Sequence, residues 1–202
     1  MTALALAAAV ALAQSCTVPD VPAENVLAVA RQESGLMPWA LHDDDARQGF
    51  RPASAEQAIE LARSLLAQGH SVGVGLMQLT ARGEATFRTK FGVTVEDALN
   101  DPCKNIHAGA ALLAANYDAA AAASRKAALA ALQTYNSGSP TGAPAYAAAV
   151  VRIATRMPSL APPPPSAPAA AEQPPAPRAA PPHWDLFGRA RGGAQSILHV
   201  AN

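Results

Sequence analysis

Glu33 stands near the end of an apolar run, Ala28-Val29-Ala30-Arg31-Gln32-Glu33-Ser34-Gly35. Val26, Val29, Ala30 and Glu33 recur at helical spacing, so the carboxylate points where the apolar residues point, toward a core or a cleft wall. A carboxyl group placed there loses solvation, its neutral form is favoured, and its pKa rises. That property suits a general acid working near neutral pH. The competing reading is a Glu exposed at a fraying helix end. A second polar group interrupts an apolar run in Val72-Gly73-Val74-Gly75-Leu76-Met77-Gln78-Leu79. There two glycines permit a tight turn or a close approach to a ligand, and Gln78 needs a hydrogen-bond partner. The third stretch, Tyr135-Asn136-Ser137-Gly138, sets a phenol beside an amide just before a glycine stop.

The elements that must carry these groups are mostly helices. Pro22 suits the first turn of the Glu33 helix, Asp20 lies close enough to help cap it, and Gly35 and Pro38 end it. A Trp39–Pro52 loop follows, with His42-Asp43-Asp44-Asp45. It lacks the spaced oxygen ligands and glycine of a calcium loop, so it reads as a solvated acidic loop and not a cation site. Ser54 with Gln57 forms a capping box, and Ile59, Ala62, Leu65 and Leu66 form the stripe of the next helix, which Gly69 ends. Asn100-Asp101-Pro102 caps a helix from about Cys103 to Tyr117, with Ile106, Ala110, Leu113 and Tyr117 on one face. Ser124 opens another helix through Leu129 and Leu132, and a last one runs from about Ala143 to Met157 with Tyr146, Val150 and Ile153. Strand-like alternation is nearly absent, Val72-Gly73-Val74 being the one hint, so the fold class is mainly α.

Composition narrows the options further. Lys and Arg number 15 and Asp and Glu 15, so the net charge carries no footprint for nucleic acid or an anionic membrane surface. Residues 1–13 are almost wholly apolar but too short to span a membrane, and no cation precedes them. They are either an export signal or a first helix kept in the fold. Cys16 and Cys103 show no metal-site or redox spacing; they are either two buried thiols or one disulfide. Closing that loop would stabilise by roughly 4 kcal/mol in the chain-entropy model. No metal and no cofactor is expected. Most of the 18 prolines fall in residues 158–182, a spacer that cannot bury a core and is expected to be disordered. Residues 183–202 hold small apolar motifs, His183-Trp184-Asp185-Leu186-Phe187 and Ile197-Leu198-His199-Val200.

Arg31-Gln32-Glu33-Ser34-Gly35, then Gly75-Leu76-Met77-Gln78, then Thr134-Tyr135-Asn136-Ser137-Gly138, in this order, resemble the lytic transglycosylase domain related to goose-type lysozyme. More closely, the chain is similar to the transglycosylases of type IV secretion and conjugation machines. That likeness includes a cysteine before the acid-bearing helix, the helix leading into Gly-Leu-Met-Gln, and Asp101-Pro102-Cys103-Lys104-Asn105-Ile106. The resemblance covers about residues 14–157, and the cysteine pair matches it as well. Two departures are Gly73, where many relatives carry a polar or acidic residue, and Thr80, where Asn is common.

The resemblance implies a lysozyme-like helical domain over 14–157 that binds peptidoglycan strands in the periplasm. Glu33 would be the sole catalytic acid, with Ser34, Gly75, Met77, Gln78, Tyr135 and Asn136 as substrate-site residues. It implies cleavage between N-acetylmuramic acid and N-acetylglucosamine with formation of a 1,6-anhydro sugar. The tail after residue 157 lies outside the resemblance and reads as a linker, a wall-crossing spacer, or a contact for secretion-system components. Two other function classes remain: a lysozyme-type hydrolase using Asp43, Asp44 or Asp45 as second carboxylate, and a non-catalytic peptidoglycan-binding assembly protein.

Overall fold

The structure is a computed structural model describing residues 3–19, 21–121 and 126–157. Eight helices and one small antiparallel sheet are present among them. The Ser124 helix start, the Asp20 cap and the proline-rich tail lie outside the described residues.

Helix α1 (Leu6–Cys16) runs across the expected boundary at residue 13. It buries Ala9, Ala13 and Cys16, so both sides of that boundary contribute to one core. Helix α2 (Ala23–Ser34) starts one residue past Pro22, which serves as N-cap, and Gly35 ends it in the left-handed conformation at φ 63°. Strands β1 (Leu41–Asp43) and β2 (Gln48–Phe50) then form a hairpin where the sequence reads as a loop. Each has only three residues, too few for alternation to emerge. Helix α3 (Ala55–Ala67) leads to β3 (Ser71–Val74) and β4 (Leu79–Arg82). The sheet order is β2-β1-β3-β4, antiparallel throughout.

Two short helices, α4 (Glu84–Phe91) and α5 (Val95–Asn100), connect the sheet to α6 (Pro102–Ala121). Helix α6 is the spine, burying Ile106, Ala110, Leu113 and Tyr117 as the periodicity predicts, together with Asn105 and Gly109. Asp101 caps it by accepting from the Cys103 and Lys104 N–H groups at 2.9 and 3.2 Å. Helices α7 (Ala127–Ser137) and α8 (Pro144–Thr155) complete the fold, α8 lying against both α2 and α7. The alanine-rich faces allow this close packing.

Cys16 and Cys103 are joined in a disulfide with Cα atoms 5.1 Å apart, tying the end of α1 to the start of α6. The Ser54 cap is half of the expected box. Ser54 Oγ accepts from Gln57 N–H at 3.3 Å, while Gln57 Oε1 accepts from Ala53 N–H at 3.0 Å instead of from Ser54.

Candidate active site

Glu33 occupies the last turn of α2, on the face whose other members, Val26, Val29 and Ala30, are at most 2% exposed. Half-buried itself, it lines a cleft of about 970 Å³. Tyr146 Oη, from α8, donates to Glu33 Oε1 at 2.5 Å. Desolvation pushes the Glu33 carboxyl up to about 7, even though the Tyr146 hydrogen bond pulls the other way. At neutral pH the protonated and ionised forms are then comparably populated, the condition for one group to give and take a proton. Burial and the adjacent Glu33 charge raise the pKa of both Tyr146 and Tyr135, which therefore act as hydroxyl donors.

Gln78 and Tyr135 also line the cleft, joined by Asn136, which is exposed there. Gln78 adopts a left-handed backbone at φ 48°, a strained conformation for a non-glycine residue. Its amide NH2 donates to Ala40 O at 3.1 Å and Gly75 O at 3.0 Å, which holds that turn closed. Tyr135 Oη donates to Met77 O at 2.8 Å and not to Glu33. The phenol of the Tyr-Asn pair thus fixes the Gly-Leu-Met-Gln turn, and the acid's hydrogen bond comes from Tyr146 instead.

Three expected substrate residues do not line the cleft. Ser34 is buried and its hydroxyl donates to Ala30 O at 3.0 Å, back along its own helix. Met77 is fully buried against Gly109 of α6, where any Cβ would fall within 2.9 Å of the methionine side chain. Gly75, at φ 78°, makes room for Asn105; a Cβ there would meet the Asn105 amide at 2.2 Å. Asn105, itself fully buried, accepts from Met77 N–H at 2.8 Å and donates to Val74 O at 3.0 Å. These residues build the wall from behind.

Gly73 and Thr80, the two departures from the family pattern, are register partners in the sheet. A Cβ on Gly73 would lie 2.9 Å from Thr80 Oγ1 and 3.0 Å from Gln78 Oε1, so the space of a side chain at 73 is taken from the opposite strand.

Tyr146 is the partner of Glu33 that the sequence did not reveal. On α8 it reads as one more member of an apolar face, and its partner lies 113 residues away. Asn105 carried a usable signal, being an amide beside Ile106 on a face that is otherwise apolar.

The acidic run proves to be a structural joint. Asp43 is 1% exposed and accepts from Asp45 N–H at 3.0 Å, Ala46 N–H at 3.1 Å and the His70 ring at 2.7 Å. Asp45 accepts from Ser71 N–H at 2.7 Å and pairs with Arg82 at 3.0 Å. The solvated-loop reading fails for Asp43 because the hairpin folds it under its own turn. Asp43, Asp45 and His70 bring ligand atoms within 4.8 Å of one another, the one such cluster among the described residues. Arg82 already supplies a cation there. Asp44 alone of the three aspartates lines the cleft, accepting from Ser71 Oγ at 2.9 Å.

Glu33 thus faces the cleft with the Tyr146 hydroxyl on its carboxyl, and Gln78 lines the same cleft from its strained turn. The family model of the transglycosylase SLT domain matches residues 13–145, well over half of the chain. The chain belongs to this family. Among its relatives are the type IV secretion system protein virB1 of Brucella abortus, 34% identical over 102 residues, and protein virB1 of Agrobacterium fabrum, 31% identical over 105 residues. These matches cover 50% and 52% of this chain and 40% of either relative, so the likeness spans less than half of the length of those proteins. No solved structure matches the chain.

Proposed function

We propose that the protein is a peptidoglycan lytic transglycosylase that opens the cell wall locally for a type IV secretion or conjugation apparatus. The observation that carries the reading is Glu33, whose carboxyl sits in the cleft with its pKa near 7 and a tyrosine hydroxyl on Oε1. Protonated Glu33 donates to the glycosidic oxygen between N-acetylmuramic acid and N-acetylglucosamine as the C1–O4 bond breaks. The resulting carboxylate accepts the proton of the muramic C6 hydroxyl, whose oxygen bonds to C1. The product is a 1,6-anhydro sugar, and Glu33 ends the cycle protonated again with no water consumed. Acid–base catalysis of this kind contributes about 10²–10⁴-fold. The rest must come from orientation of the sugar and stabilisation of positive charge at C1. Gln78, Tyr135, Asn136 and Tyr146 are the residues we assign to that positioning.

The proposed site of action is the periplasm, with glycan strands as substrate and the tail beyond residue 157 as a contact for other secretion components. No helix among the described residues is long and apolar enough to cross a membrane. A second reading, hydrolysis, is favoured by Asp44, a further carboxylate lining the same cleft. Against it, the Asp44 side chain is 47% exposed and lacks the apolar cover that Glu33 has.

Mass spectrometry of purified peptidoglycan digested with the full chain separates the readings. Muropeptides ending in anhydromuramic acid are expected; reducing ends would replace the transglycosylase by a hydrolase. Binding without products would leave a scaffold.

A further inference from the structure

A second cavity, of about 340 Å³, lies between α1, α2 and α8. Arg31 of α2 lines it together with Arg152 of α8 and Arg156 just beyond that helix, and no carboxylate among the described residues does. Among the described residues the arginines in ion pairs are Arg63 and Arg82, so none of these three guanidinium groups pairs with a described carboxylate. Cations near the end of α8 suit its dipole, which accounts for Arg152 and Arg156 but not for a third arginine converging from another helix. The zero net charge of the chain hides this local excess.

Apolar surface adjoins the cations. Leu6, which also lines the cavity, is 42% exposed and is the one exposed large hydrophobic residue among those described. Ala7, Ala8 and Ala11 are exposed on the same helix, and residues 3–17 contain no charged side chain. An uncharged apolar helix beside a cluster of arginines is the composition of a surface that rests on an anionic bilayer.

We propose that this face docks on a membrane containing anionic phospholipid. A headgroup phosphate occupies the three-arginine cavity, and Leu6 enters the boundary between headgroups and acyl chains. Arginine suits the role because its planar fork of donors matches phosphate oxygens. Arg31 lies two residues before Glu33 in α2, so docking fixes the orientation of the cleft relative to the bilayer. The proposal stands independently of the reaction assigned to the cleft.

The test is cosedimentation of the full chain with vesicles of phosphatidylglycerol and phosphatidylcholine, and with phosphatidylcholine alone. Binding is expected to the anionic vesicles only, weakening as salt shortens the Debye length from about 30 Å at 0.01 M to about 8 Å at 0.15 M. The R152Q/R156Q variant is expected to bind about 30-fold more weakly, the equivalent of about 1 kcal/mol per cation. Leu6→Ser weakens binding further, while the circular dichroism spectrum and the melting temperature of either variant stay at the wild-type level and report an intact fold. The tail carries arginines of its own, so R178Q/R189Q/R191Q is the control and should bind as wild type. Unchanged affinity of R152Q/R156Q, loss of binding in the tail variant, or equal binding to phosphatidylcholine alone would overturn the proposal. So would capture of an acidic peptide or inorganic phosphate without any vesicle binding.

Discussion

Glu33 and Asp43 are both carboxylates removed from water, and their environments push them in opposite directions. Glu33 receives one side-chain hydrogen bond, from Tyr146, and burial prevails, lifting its pKa to about 7. Burial would raise Asp43 too, but the His70 hydrogen bond, the Ala46 and Asp45 N–H groups and the His70 charge outweigh it and hold the pKa below the usual carboxylate value. Desolvation with few donors makes an acid that can exchange protons; desolvation with several makes a permanent anion that locks a turn. The number of donors around a buried carboxylate, and not burial itself, separates the catalytic candidate from the structural joint.

The largest expected effect is on the reaction. Glu33→Gln should reduce release of anhydro-muropeptides by at least the 10²–10⁴-fold typical of general acid–base catalysis, with the circular dichroism spectrum unchanged. Retained turnover would sink the assignment of Glu33.

Stability should respond to the same kind of change with opposite signs at the two sites. The folded Glu33 pKa lies above the ordinary glutamate value of 4.5, so the native state holds more protons between pH 4.5 and about 7. Its contribution to stability is therefore lost as pH rises through that window. Glu33→Gln cannot ionise and should be more stable than wild type above pH 7, by on the order of 3 kcal/mol. Asp43 has a folded pKa below its ordinary 3.8, so its contribution is present above that pH and lost as pH falls through the folded value. Asp43→Asn should accordingly lower the melting temperature at pH 7 and remove part of the acid destabilisation of wild type. Thermal melts at pH 4, 6 and 8 read both effects, and equal signs would break the comparison.

Tyr146→Phe sharpens it. Removing the hydroxyl takes away the one interaction that lowers the Glu33 pKa, so the alkaline limb of the pH–rate profile should move to higher pH. The rate should fall about tenfold, the scale of a hydrogen bond to a charged group at about 1.5 kcal/mol. A purely structural tyrosine would change the rate without moving that limb. The smallest effect belongs to Asp44→Asn, expected within about twofold because exposed substitutions rarely exceed ±0.5 kcal/mol. A large loss there would favour the hydrolase.

Much of the helical frame was legible because helices of eleven residues or more display their buried stripe, as Ile106, Ala110, Leu113 and Tyr117 do on α6. The sheet was not, since β1 and β2 have three residues each and hold their place through pairing with neighbours. Helix α5 went unread although Thr94 and Asp97 form a reciprocal cap; its six residues show no full period. Within the site, Glu33 was readable because the α2 pattern alone orients it. Ser34, Gly75 and Met77 belong to the right motifs but face away from the cleft: Ser34 bonds back to Ala30, and Asn105 and Gly109 pack against Gly75 and Met77.

The sequence by itself determined the longer helices α2, α3 and α6, the glycine that ends α2, and that one carboxylate lies on an apolar face, because those properties repeat over one or more turns. It also determined the family, through three short motifs in a fixed order. Only the tertiary structure decided that Tyr146 reaches Glu33 across 113 residues. In the same way it decided that Asp43 is buried under its own hairpin and that Arg31, Arg152 and Arg156 share a cavity. Each of these depends on how separate elements pack, and local spacing carries no information about a partner on another element.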